Sequence, residues 1–132
     1  MSRYTKCHRD GSEHEIAIPW PDRALHPNSR KHWSVKAKAA RKARHDAAII
    51  AKSANWHRRE WPEGRLHVWI DGYAPDRRRR DHDGFLSSLK PWLDGIADAM
   101  GVDDSRFVPH PHIKSETRKP GEVRIRITGG PQ

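Results

Sequence analysis

The chain predicts an α+β domain, a small mixed β-sheet of about four strands with two main helices. Three observations carry this. The 132 residues suffice for one modest core and not two. Four short stretches have strand patterning, and two longer ones repeat apolar residues at helical spacing. Their order is strand–helix–strand–helix–strand–strand.

Residues 1–13 are polar and are expected to be frayed, leaving residues 14–132 as one domain. His14 to Ile18 is a short strand candidate, stopped by Pro19 and Pro21. A loop with Pro27 and Asn28 follows. From Ser34, read as the N-cap, the sequence VKAKAARKARHDAAIIAKSA predicts a helix. Ala40, Ala43, Ala47, Ile50 and Ala54 form its apolar stripe, small enough for close packing on a sheet. Between Arg65 and Gly72, Leu66, Val68 and Ile70 alternate with His67, Trp69 and Asp71, the pattern of a half-buried strand.

The second helix is marked by Phe85, Leu89, Trp92, Leu93, Ile96 and Met100 on one face. Pro91 is expected to kink or restart it, and Gly101 to close it. Phe107 to Lys114 and Glu122 to Thr128 read as the last two strands, with a turn at Pro120 and Gly121 between them. Both helices are expected on one face of the sheet.

The formal net charge is +9, which speaks to partners and not to fold. Nucleic acid leads, because Lys and Arg contacts to phosphate release counterions. No acid occurs from Arg23 to His45, a stretch that carries Arg30, Lys31, Lys36 and Lys38. These four are candidate backbone-binding residues. The lone cysteine, Cys7, excludes an internal disulfide and a cysteine-based zinc site. His110 and His112 sit beside prolines, look like an extended loop and do not read as ligands. No apolar run approaches the roughly 18 residues of a membrane span. The N-terminus has no apolar signal region, so a soluble, cytoplasmic protein with no membrane partner is expected.

The chemistry concentrates in DRRRRDHDGFLSSLKPWLDGIADAMGVDD, residues 76–104. Asp81 and Asp83 stand directly behind Arg77, Arg78, Arg79 and Arg80, and Asp103 and Asp104 follow the helix. Hard cations such as Mg²⁺ take oxygen ligands, often one or two carboxylates with water and substrate phosphate. Arginine forks match phosphate bidentately. The competing reading is that the two acids cap the helix and pair with the arginines. A straight helix from Gly84 to Met100 would hold the two acidic groups roughly 25 Å apart. They would then meet only through a break at Pro91, a fold-back after Gly101, or a dimer.

Taken together, these motifs resemble the RusA family of Holliday-junction resolvases, small endodeoxyribonucleases common in phages and prophages. The resemblance runs from about His14 to Thr128 and rests on IAIPWPDRALHPNSRKHW, DRRRRDHDGF and VDDSRF. It implies a RusA-like fold and a homodimer that cuts opposed strands of four-way or related branched DNA. Mg²⁺, with Mn²⁺ as a substitute, is the implied cofactor. Asp81, Asp83 and Asp104 match its metal-binding acids, with Asp103 in support, and Lys90 its catalytic lysine. The arginine run would bind DNA. Gly84 stands where that motif carries asparagine, Lys90 falls three residues late, and Pro91 directly after it is unusual. Trp92, Leu93 and Ile96 are a candidate dimer contact, or else core. A nucleoid-associated protein, of phage or host origin, would follow. The alternative is a non-catalytic DNA-binding protein. An RNA-binding module ranks last, since no aromatic-rich strand motif is present.

Overall fold

Strand β1 (Glu15–Pro19) leads through a 3-10 turn at Arg23–Leu25 to helix α1 (Trp33–Ser53). A second 3-10 turn, Trp56–Arg58, precedes β2 (Leu66–Tyr73) and α2 (His82–Met100). A third, Asp104–Arg106, opens β3 (Phe107–Ile113), and β4 (Glu122–Gly129) ends the fold. This computed structural model describes residues 15–129; the segment 1–13 expected to be frayed, and His14, lie outside them.

The sheet order is β1-β4-β2-β3. Strand β4 is antiparallel to both β1 and β2, while β2 and β3 are parallel. The chain thus makes two strand–helix–strand passages, and β4 inserts between their strands. The α+β class and the mixed four-stranded sheet are as the sequence predicts.

Ile16, Ile18, Leu66, Val68, Ile70, Val123, Ile125 and Ile127 are buried on one face of the sheet. Both helices close over it, adding Ala43, Ala47, Ile50, Phe85, Leu89, Trp92, Leu93 and Ile96 to a single core. Each large apolar side chain buried there contributes roughly 1.5–3 kcal/mol. Trp92, Leu93 and Ile96 are therefore core and do not form a dimer contact.

The alanine stripe of α1 does serve close packing, but against α2 and not only the sheet. A Cβ built on Gly95 would lie 2.1 Å from the Arg44 carbonyl oxygen and 2.8 Å from Ala47 Cβ. The Arg44 guanidinium also forks onto Asp98 at 2.6 and 2.9 Å, tying the same two helices at the surface.

Three local expectations are corrected. Pro19 ends β1 from inside the strand, paired with Glu122, which proline tolerates at a sheet edge. The N-cap of α1 is His32, not Ser34; its Nδ1 accepts from the Ser34 N–H at 3.1 Å. Pro91 sits inside an unbroken α2. Its missing N–H would have bonded the carbonyl of Ser87, an exposed residue that water can satisfy. Gly101 closes α2 as expected, with φ +73°. The Val102 N–H reaches Ala97 O and the Gly101 N–H reaches Asp98 O, the paired bonds of a Schellman end.

On the opposite face, Trp69 is stacked 4.2 Å from His110, with the Arg126 guanidinium 5.6 Å from its ring centroid. Its indole N–H donates to Thr128 Oγ1 at 2.9 Å, and His67 bonds His110 at 2.9 Å. The two histidines of the proline-rich stretch thus lie in strand β3, not in a loop. Pro109 and Pro111, which lack donors, face Val68 and Ile70 in register on this edge strand. They blunt the edge against pairing with another chain.

Candidate functional site

The N-terminal end of α2 carries the first acidic pair. Asp81 is the N-cap, its Oδ1 accepting from the Gly84 N–H at 2.5 Å. Asp83 follows in the first turn, where a carboxylate complements the helix dipole. Both residues are exposed.

Two of the four arginines before them, Arg78 and Arg80, turn to Asp76. Arg80 Nη2 pairs with Asp76 at 2.9 Å, and Arg78 Nε lies 3.7 Å from the same carboxylate. Arg80 also donates to the carbonyls of Asp76 and Arg78 and lies over the Trp20 ring. It braces the loop, so of the four arginines Arg77, Arg78 and Arg79 are the exposed ones. The bonds within the loop and to Asp76 also hold the Asp76 carboxyl below the usual carboxylate range, the Arg78 backbone N–H first among them. Half of the competing reading thus holds: Asp81 does cap the helix. The other half does not, because neither Asp81 nor Asp83 has an ion-pair partner among the described residues.

Gly84 is buried for a reason that lies in another element. A Cβ there would fall 2.6 Å from His26 Nε2 and 2.9 Å from Asp81 Oδ1. His26 Nδ1 accepts from the Asn28 N–H at 3.1 Å. Its other nitrogen, Nε2, is the one facing this corner. Sequence reasoning did not find His26, and no local pattern marks it. It arrives only because the turn at Arg23–Leu25 packs against α2.

Lys90 and Asp104 are brought together. Asp83, Ser87, Lys90 and Asp94 follow one stripe of α2. Lys90 Nζ donates to Asp94 Oδ1 at 2.8 Å and to Asp104 Oδ2 at 2.5 Å. The bond to Asp104, then that to Asp94, holds the Lys90 ammonium above the usual lysine range. The same bond from Lys90, first among its causes, holds the Asp104 carboxyl below the usual carboxylate range. Asp103 is spent on structure, capping the 3-10 turn through the Ser105 N–H at 2.9 Å.

Asp104 stands between two shallow grooves. One, of about 450 Å³, runs between α2 and β3 and is lined by Leu86, Ser87, Lys90, Leu93, Asp104 and Phe107. The other, of about 350 Å³, holds Asp94, Asp98, Asp103 and Asp104 around Arg44.

Asp81, Asp83 and Asp104 do not converge. Among the described residues no three His, Cys, Asp or Glu side chains gather closely enough to hold a metal ion. The unbroken α2 is the cause, since Lys90 lies about 13 Å along its axis from Asp81. The chain does fold back after Gly101, but it delivers Asp104 to Lys90 in mid-helix. What remains for a cation at the helix start is a two-carboxylate set, Asp81 and Asp83. Hard oxygen donors of that number suit Mg²⁺ completed by water and phosphate.

The other candidate cations lie at the start of α1. Arg30, Lys31 and Lys38 are exposed and Lys36 is half-buried. None has an ion-pair partner among the described residues, whereas Lys42 and Arg44 further along are paired with Asp46 and Asp98. No helix among the described residues is long and apolar enough to cross a membrane.

Comparison with known proteins defines the chain's relatives before its chemistry. No family model matches the sequence. The chain is 48% identical over 115 residues to an uncharacterized protein of Xylella fastidiosa (strain Temecula1 / ATCC 700964), covering 86% of this chain and 75% of that one. It belongs to the same family as that Xylella protein.

Proposed function

We propose that the chain is a metal-dependent endodeoxyribonuclease that resolves four-way or related branched DNA, as the likeness to RusA-type resolvases implies. The observation that supports this best is the state of Asp81 and Asp83. Two exposed carboxylates stand behind four arginines and are paired with none of them. A hard cation and a substrate phosphate would complete them. Mg²⁺, or Mn²⁺ in its place, would supply polarisation of the phosphodiester and activation of water there.

The chain's own residues take the remaining roles. Arg77, Arg78 and Arg79 bind phosphates on the approach to the acids, and Arg30, Lys31, Lys36 and Lys38 extend that contact along DNA. Lys90, kept as an ammonium by Asp104 and Asp94, stands seven residues along α2 from Asp83, so its proposed part in stabilising charge on the phosphate requires the strand to lie along the helix between them. It is no proton acceptor, because its neighbours favour the charged form. A homodimer places two such sites in two-fold register, which suits a symmetric junction. Work on DNA places the protein in the cytoplasm, at the nucleoid or with phage DNA.

The deciding experiment is a labelled synthetic four-way junction incubated with Mg²⁺ beside a linear duplex of the same sequence. Paired nicks near the branch, absent in EDTA and absent from the duplex, are expected. Binding of both DNAs without cleavage in Mg²⁺ or Mn²⁺ would overturn the nuclease assignment. It would favour the second reading, a non-catalytic DNA-binding protein on the same fold. One observation favours that reading: Asp104 is engaged by Lys90 and is not gathered with Asp81 and Asp83.

A further inference from the structure

The chain has six tryptophans, and five of them are buried or half-buried. Trp33 is the exception, 74% exposed at the first position of α1. Its surroundings are unusual as well. Every residue from Arg30 to Val35 is exposed, so the start of α1 projects from the body of the fold. The ring touches only the tilted imidazole of His32, centroids 5.5 Å apart, among its described ring contacts. Arg30 and Lys31 precede it, and Lys36 and Lys38 follow within two turns, all without ion-pair partners among the described residues.

An exposed indole normally costs solubility, and a cationic neighbourhood does not attract another apolar surface. A nucleobase meets both conditions. It offers an apolar face for stacking and brings a phosphate on either side for the cations. A fully stacked duplex has no free base face, but a branch point does. We infer that Trp33 is a stacking wedge for an unpaired or splayed base at a DNA branch, with Arg30, Lys31, Lys36 and Lys38 holding the flanking phosphates. This rests on the DNA-binding part of the proposed function and adds to it the means of telling a branch from a duplex. The side chains assigned to cleavage take no part in it.

The loop from His26 to His32 links this wedge to the acidic end of α2. His26 lies against Gly84 and Asp81, and its carbonyl accepts from the Ser29 N–H at 3.0 Å in a turn. Seven residues from His26 to Trp33 span at most roughly 25 Å even when fully extended. A base held at Trp33 is therefore within a few nucleotides of Asp81 and Asp83.

The test measures binding of fluorescent four-way junction and matched linear duplex in EDTA, for wild type, Trp33→Ala and Trp33→Phe. Junctions carrying 2-aminopurine beside the branch report stacking directly. Trp33→Ala is expected to weaken junction binding about tenfold and leave duplex binding within twofold. Trp33→Phe should stay within about threefold of wild type on both DNAs. The 2-aminopurine signal should change with wild type and Trp33→Phe and not with Trp33→Ala. An equal loss on both DNAs, or no loss, overturns the wedge. So does conversion of a dimer to a monomer by Trp33→Ala in sedimentation, which would make this face a contact between copies. If wild type binds the junction in a Trp33-dependent way but never cuts it, the wedge stands and the nuclease assignment falls. If wild type binds neither DNA, both fall.

Discussion

Lys90 Nζ and Asp104 Oδ2 lie 2.5 Å apart although they stand 14 positions apart in the chain. The contact joins the middle of α2 to the turn that opens β3, two segments whose acidic and basic residues otherwise have no reason to meet. It couples the residue proposed to stabilise the transition state to the carboxylate that holds it as an ammonium.

That coupling predicts non-additive kinetics. Lys90→Ala and Asp104→Asn should each lower single-turnover cleavage of saturated junction complexes about 100-fold or more, with binding within threefold. The double variant should lose far less than the product of the two. Lys90→Arg should rescue poorly, because a planar fork does not replace a compact ammonium. A Lys90→Ala rate within about twofold of wild type would remove the lysine from the chemistry.

The same pair predicts a pH signature. Asp104 has a depressed folded pKa, so its contribution to stability is present above the unfolded value and fades as pH falls through the folded one. Lys90 has a raised folded pKa, so its contribution is present below the unfolded value and is lost as pH rises through the folded one. Between those limits the pair is intact. Side-chain NMR of Lys90 should show titration above the ordinary lysine range, moving down towards it in Asp104→Asn. An unmoved titration would show that the two do not interact in solution.

Asp81 has two separable duties, a cap and a proposed ligand. Asparagine caps a helix as well as aspartate, whereas alanine costs about 1 kcal/mol. Asp81→Asn should therefore keep wild-type thermal stability and junction binding while losing cleavage. Asp81→Ala should lose both stability and cleavage. Asp83→Asn should behave as Asp81→Asn, with binding equal or tighter because a negative charge near phosphate is gone. Near wild-type cleavage by either asparagine variant in Mg²⁺ would strike that residue from the ligand set.

The arginine run divides by its partners. Arg77→Ala and Arg79→Ala should each flatten the log–log salt dependence of duplex-arm binding by on the order of 0.9 per lost phosphate contact. Arg80, bonded to Asp76 and lying over Trp20, should instead lower the melting temperature when replaced by alanine. Salt titrations that respond to Arg80→Ala and not to Arg77→Ala or Arg79→Ala would reverse this assignment.

Two glycines on α2 should respond differently to alanine. At Gly95 the new Cβ meets the Arg44 backbone carbonyl, which cannot move aside, and a loss of about 3 kcal/mol is expected. At Gly84 it meets the tip of the His26 ring and the Asp81 carboxylate, side-chain ends that can shift, so the loss should be nearer to 1 kcal/mol. His26→Ala should recover much of the Gly84→Ala loss and none of the Gly95→Ala loss. Equal costs by denaturant unfolding, or no rescue, would refute the His26–Gly84 contact.

The main strands and helices and the class of fold are legible in the residue pattern. Period-two alternation in β2 and β4 and the apolar stripe of α2 report burial directly, because a side chain's face follows from its position along a regular backbone. Gly101 was legible for the same local reason, as only glycine readily takes a positive φ at a helix end. The acids, the arginines and Lys90 were visible as residue types at telling spacings.

Which of them meet depends on how the elements pack. The pairing of Lys90 with Asp104, the turning of Arg78 and Arg80 to Asp76, and the ring of His26 over Gly84 all join side chains whose partners are set by packing or loop geometry. The continuity of α2 through Pro91 was settled by its packing, since an exposed carbonyl can forgo its bond while Leu89, Trp92 and Leu93 stay buried around it. The same packing consumed Trp92, Leu93 and Ile96 in the core and left Trp33 outside it. Periodicity ranks residues along one element, but exposure depends on where the neighbouring element stops.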